Sequence, residues 1–117
     1  ASRLAVLRIE AESVEMTELR ILSSLQSGQR TGPESSLLKS RGTEVGQQIG
    51  ELAMEAAGYY MLPFDRDVLG FGSNEPPIGP EHAMGLAGKY FNQRKASIYG
   101  GSNEIQRNIM AKLILGM

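Results

Sequence analysis

Residues 97–112 read Ser97-Ile98-Tyr99-Gly100-Gly101-Ser102-Asn103-Glu104-Ile105-Gln106-Arg107-Asn108-Ile109-Met110-Ala111-Lys112. Two adjacent glycines allow a sharp turn and a close approach of the backbone to a ligand. Ser102 is placed to cap the helix that follows, and the free N–H groups at a helix start attract an anion such as phosphate. From 103 to 115 the residues favour helix, with Ile105, Ile109 and Leu113 on one face. A bare Gly-Gly-Ser before a helix predicts a turn and a cap, and does not by itself name a ligand.

Working outward, the spacing predicts a helix over 80–96, opened by Pro80. Before it, Leu62-Pro63-Phe64 and Asn74-Glu75-Pro76-Pro77 mark residues 58–79 as an ordered excursion. Its aromatics Tyr59, Tyr60, Phe64 and Phe71 predict that parts of it are pinned to something. A longer helix is expected from Pro33 to about Ala57, with Leu38, Val45, Ile49, Leu52 and Ala56 as its apolar stripe. Gly42, Gly46 and Gly50 share a second face of that helix. Each costs roughly 1 kcal/mol relative to alanine, which makes sense if a neighbouring helix packs closely there. The membrane reading of that spacing fails, because Lys39, Arg41, Glu44 and Glu51 surround it. The first helix, 3–26, places Leu4, Leu7, Ala11, Val14, Ile21 and Leu25 at helical spacing and ends near Gly28. Four helices without strand patterning or an internal repeat predict an all-α fold, a four-helix up-and-down antiparallel bundle.

The bulk properties exclude more than they select. A chain of 117 residues forms one domain at most. A net charge of -1 gives no reason to expect nucleic acid as a partner. Cysteine is absent, which rules out disulfides and thiolate metal sites and fits a reducing cytoplasm. No apolar run approaches the roughly 20 residues of a membrane span. Ala1-Ser2-Arg3 runs straight into helical periodicity with neither an initiator methionine nor a signal-peptide core, so we expect a piece of a longer protein.

The string IYGGSNEIQRNIMAK resembles the C-terminal signature of the acyl-CoA dehydrogenase family, usually IYEGTSEIQR and a short apolar run. The order of helices, excursion and YFNQRKAS segment is also similar to the family's C-terminal helical domain, across nearly the whole of residues 1–117. The resemblance implies that the domain's own first helix and the preceding domains lie outside this chain. The Gly-Gly-Ser form with a Pro-rich excursion is similar to bacterial members, some acting on bulky acyl or steroid side-chain thioesters.

The chemistry so implied is α,β-dehydrogenation of an acyl-CoA thioester. A carboxylate takes the α-proton while the β-hydrogen leaves as hydride to FAD. In many members that base is the glutamate of YEGT, and the matching position here is Gly100, which has no group to accept a proton. Two explanations stay open: a base carried on the missing first helix, or a base-free subunit supporting an active partner. Glu104 is the nearest carboxylate, but an exposed first-turn acid favoured by the helix dipole accounts for it as well. The resemblance further implies substrate contact for Tyr99 and Gly101, and FAD diphosphate or ribose contact for Ser102 and Glu104. Plain capping by Ser102 and an ordinary core role for Tyr99 stand beside those roles.

Glu55-Ala56-Ala57-Gly58-Tyr59 sits where the family usually has Gln-x-x-Gly-Gly, a motif that touches the adenosine end of FAD across a subunit interface, and of its fixed residues only Gly58 is kept here. That implies cofactor contacts for Glu55, Gly58 and Tyr59, against a simple helix C-cap at Gly58. Implied partners are acyl-CoA, the rest of the parent enzyme, further subunits in a homo- or hetero-oligomeric dimer or tetramer, and electron-transfer flavoprotein or a similar acceptor. From the residues alone, His82 reads as a solvated surface group, and a single histidine gives no metal site. Arg94, Lys95 and Arg107 face either nucleotide phosphates or helix ends and solvent. The six methionines read as core fillers. A free-standing helical module that oligomerises through the glycine face of the second helix is the reading from outside the family.

Overall fold

The computed structural model describes residues 2–117. Four α-helices pack against each other: α1 (Ser2–Gln26), α2 (Glu34–Ala57), α3 (Leu86–Gln93) and α4 (Asn103–Met110), with no strand among the described residues. The helix α1 ends where the sequence says it should. Gly28 turns left-handed at φ 78°; its N–H bonds Leu25 O at 3.0 Å, and Gln29 N–H bonds Ser24 O at 3.0 Å. This pair of bonds is the Schellman closure, which satisfies two carbonyls that the helix leaves free.

α2 is the axis of the fold, and α1, α3 and α4 all pack on it. Val14 meets Gly42 while Arg3 reaches Glu51 and Glu55, so α1 runs antiparallel to α2. Tyr90 and Gln93 meet Gly50, and Gln47 Nε2 donates to the carbonyls of Gln93 and Arg94 at 3.4 and 3.3 Å. Asn103 meets Lys39 and Thr43, and further along Arg107 meets Glu44, so α4 climbs with α2. The directions alternate along the chain, as an up-and-down bundle requires.

Several boundaries and faces differ from the sequence-based expectation. Instead of one helix over 80–96 there is a 3-10 turn, Glu81–Ala83, then α3, then a second 3-10 turn, Arg94–Ser97. Met84 is extended and Gly85 left-handed at φ 79°, and neither conformation continues a helix. The last helix passes into a π-helical stretch, Ala111–Leu115. Of the stripe expected on α1 only Leu7 is buried, while Leu4 and Leu25 are exposed. On α2 Val45 is buried, but Ile49 and Ala56 are exposed. α4 turns buried Asn103 and half-buried Gln106 and Met110 inward, leaving Ile105, Ile109 and Leu113 in solvent.

The aromatics of the excursion are not pinned within this chain either. Tyr59, Phe64 and Phe71 are exposed, and only Tyr60 lays part of its ring on Gly79. Among the methionines Met54 alone is buried. Of the three glycines at four-residue spacing, Gly42 and Gly50 touch neighbours but Gly46 faces open space.

Among the described residues the buried apolar side chains are Leu7, Val45, Met54 and Ala83, a thin core for a chain of this size. The radius of gyration is 18.3 Å, against about 13 Å for a compact chain of this length. The accessible surface is 8728 Å², against roughly 6,200 Å² for a compact monomer of this mass. No helix among the described residues is long and apolar enough to cross a membrane.

Candidate functional site

The turn before α4 is built as its residues dictate. Gly100 and Gly101 both take positive φ, 65° and 82°, a region closed to most side chains. A β-carbon placed on Gly100 would meet nothing, so that side of the turn is open. Gln106 reaches back and donates from Nε2 to the Gly100 carbonyl at 3.2 Å. Ser102 takes extended geometry, and its Oγ accepts from Ile105 N–H at 3.3 Å. The capping role therefore holds in the structure. Its single proton serves the Glu104 carboxylate, so both sides of the hydroxyl are used within the turn.

Glu104 is exposed at the first turn of α4. Its own backbone N–H, then the Ser102 hydroxyl, Arg107 and Lys39 hold its carboxyl below the usual carboxylate range. A strongly ionised, solvated carboxylate is a weak proton acceptor. Tyr99 is exposed, 60% of its surface facing solvent, so it is not an ordinary core aromatic within this chain.

Behind the turn, Asn103 is only 6% exposed. Its Oδ1 accepts from Lys39 Nζ at 2.9 Å, and its Nδ2 donates to Thr43 Oγ1 at 3.1 Å. The sequence reading missed this polar cluster. Its only trace in the sequence is that Asn103 stands where the YEGTSEIQR signature has serine.

The other predicted residues lie elsewhere. Gly58, at φ 56°, caps α2 with its N–H on the carbonyls of Met54 and Glu55. Glu55 is ion-paired with Arg3, and Tyr59 is 88% exposed. Met54, Glu55, Gly58, Tyr59, Met61 and Leu62 line a shallow apolar depression. Glu55 follows Thr43 by twelve residues on α2, which at helical rise is about 18 Å. The structure thus brings Ser102 and Glu104 together, and sets Glu55, Gly58 and Tyr59 apart at the other end of α2.

Of the basic residues, Arg107 is engaged by Glu44 at 2.6 Å, and Arg94 by Glu51 at 3.1 Å. The Arg94 guanidinium also stands 5.6 Å from the Tyr90 ring centroid. His82 is exposed on its 3-10 turn. A cleft of about 520 Å³ lies between the excursion and the residues leading into α3, walled by Tyr60, Phe64, Leu69, Ile78 and Met84.

Compared with known families, residues 1–115 match the model described as acyl-CoA dehydrogenase, C-terminal domain. The chain belongs to this family. No curated protein and no solved structure gives a significant match. The acyl-CoA dehydrogenase family is FAD-dependent, so the donors of this domain can be tested against that cofactor. The open side of Gly100 leaves room for a ligand beside the start of α4, where the Ser102 hydroxyl and the N–H groups of Glu104 and Ile105 are already bonded within the turn. Glu104 limits the fit: its carboxylate can accept from ribose hydroxyls but would repel a phosphate at the same point. The residues therefore fit a flavin nucleotide whose ribose, and not its diphosphate, lies beside Glu104.

Proposed function

We propose that this acyl-CoA dehydrogenase C-terminal domain supplies one wall of the FAD and acyl-CoA site of its parent enzyme, and part of the subunit interface. The observation that carries the reading is the solvent-open Gly100-Gly101-Ser102 turn at the start of α4. Ser102 caps α4 and steadies the Glu104 carboxylate, which accepts from a ribose hydroxyl. Gly101 and Tyr99 lie along the thioester. Bound FAD supplies the hydride acceptor. Glu55 lies about 18 Å along α2 from Thr43 behind that turn, with Gly58 and Tyr59 just past the helix end, a separation that suits contact with the adenosine end of a cofactor shared with another subunit.

Neither Gly100 nor ionised, exposed Glu104 is equipped to take the α-proton, so in this reading the base lies outside these 117 residues. The isolated domain is then inactive. Gly100 also favours a second reading, a base-free subunit in a hetero-oligomer, which the residue opposite the turn in the full-length protein decides. Testing uses that full-length protein. Ser102→Ala is expected to weaken FAD binding about tenfold, one hydrogen bond's worth, through the carboxylate that Ser102 steadies, and the isolated domain is expected to show no turnover with acyl-CoA, FAD and an electron acceptor. Unchanged flavin affinity in Ser102→Ala, or turnover by the domain alone, overturns the proposal.

A further inference from the structure

Asn103 spends its whole amide on α2, although it is the residue that follows the cap of α4. Thr43 Oγ1 lies 2.9 Å from the Ser40 carbonyl and 3.2 Å from Asn103 Oδ1. A hydroxyl has one proton, so it serves one of those acceptors at a time while accepting from Asn103 Nδ2. With the proton on Ser40 O, Asn103 Oδ1 is still held by the Lys39 ammonium, a charge-assisted bond at 2.9 Å. Asparagine is thus used as donor and acceptor at once. Serine is too short to span both partners, and a carboxylate cannot donate to Thr43.

The other polar tie between α2 and α4, Arg107 to Glu44, is a solvated ion pair, and such pairs contribute little. The buried amide is the firmer one, since leaving either partner unpaired carries a desolvation cost.

Resting on the reading that the turn at 100–102 holds a flavin nucleotide, we infer that Lys39, Asn103 and Thr43 form a lock that fixes this turn in register with α2. Asn103 is a positioning residue: it touches no reacting atom and acts through Ser102 and the glycines before it. Because α2 carries Glu55 and is capped by Gly58, with Tyr59 next in the 3-10 turn that follows, the lock makes the two proposed cofactor contacts parts of one rigid body.

The test uses the full-length flavoprotein and reads FAD dissociation constant beside melting temperature for Thr43→Val, Thr43→Ser, Asn103→Ala and the Thr43→Val/Asn103→Ala double variant. Thr43→Val and Asn103→Ala are each expected to weaken FAD binding about tenfold. Thr43→Ser keeps the hydroxyl and stays within about twofold, and the double variant binds no more weakly than the poorer single one. Thr43 lies on α2 behind Asn103, so a loss through it reaches the cofactor by way of the amide. A merely structural role lowers the melting temperature of Thr43→Val and leaves its flavin affinity at the wild-type value, and that result overturns the lock alone. If Asn103→Ala does not fold, the Thr43→Val and Thr43→Ser pair still decides. A wild-type protein that binds no FAD removes the reading of the turn, and the lock with it.

Discussion

At the scale of single residues, each position of the glycine turn and its cap demands a residue type. Positive φ at Gly100 and Gly101 calls for glycine, and an N-cap calls for a short hydroxyl. Replacing Ser102 by alanine should cost about 1 kcal/mol of stability through the lost cap alone. Urea unfolding of the folded parent would measure it, and an unchanged midpoint would show the cap to be idle. Glu104 gives a pH signature with a definite sign. Its folded-state pKa is depressed, first by its own backbone N–H. Its contribution is therefore fully present above the unfolded value near 4.5 and is lost as pH falls through the lower folded value. Glu104→Gln should flatten that acid limb by lowering stability in the neutral region, while leaving stability below the folded value nearly unchanged. An identical acid limb in both proteins would contradict the assignment. Asn103, by contrast, was illegible: no local rule says that an asparagine at the first helical position will reach sixty residues back in sequence to Thr43.

At the scale of elements, periodicity located all four helices but misjudged which faces are covered. Spacing identifies an apolar stripe without saying what lies over it. On α4 the stripe Ile105, Ile109 and Leu113 faces solvent because the α2 side is taken by Asn103, Gln106 and Met110. The break in the third helix was missed for a different reason. Pro80 signalled a start, yet the left-handed Gly85 five residues later resets the helix, and a glycine in helical context does not announce which conformation it will take. The glycine series on α2 yields a clean expectation. Gly46 faces open space and its φ lies outside the left-handed region, so Gly46→Ala should raise the stability of the isolated domain by about 1 kcal/mol. Gly28 is the opposite case. Its φ of 78° closes α1, and alanine there should cost about 1 kcal/mol. Thermal melts of the two variants should move in opposite directions, and a shared direction would sink the argument from conformation.

At the scale of the whole molecule, surface decides more than core. The accessible area exceeds that of a compact chain of this mass by roughly 2,500 Å², on the order of what one partner gives to a large obligate interface. Large apolar side chains are part of that surface: α1 exposes Leu4, Ile9, Met16, Leu19, Leu22 and Leu25, and the C-terminal end exposes Leu113, Ile114 and Leu115. A helix that is apolar on more than one side is stable when covered on more than one side. α2 covers α1 on one side only. Composition could not reveal this, since the same leucines serve a core or an interface equally well. The expectation concerns the isolated chain in solution. It should either associate beyond its 12.7 kDa mass or bind a hydrophobic dye strongly, and it should melt broadly because four buried apolar side chains give little cooperativity. Within the parent enzyme the same helices should be protected from hydrogen exchange along α1 and α4. Sedimentation, dye fluorescence and exchange measure the three consequences separately. A monomer that ignores the dye and melts sharply would mean that these leucines are covered in some way this fold does not provide, and the interface role would fall with it.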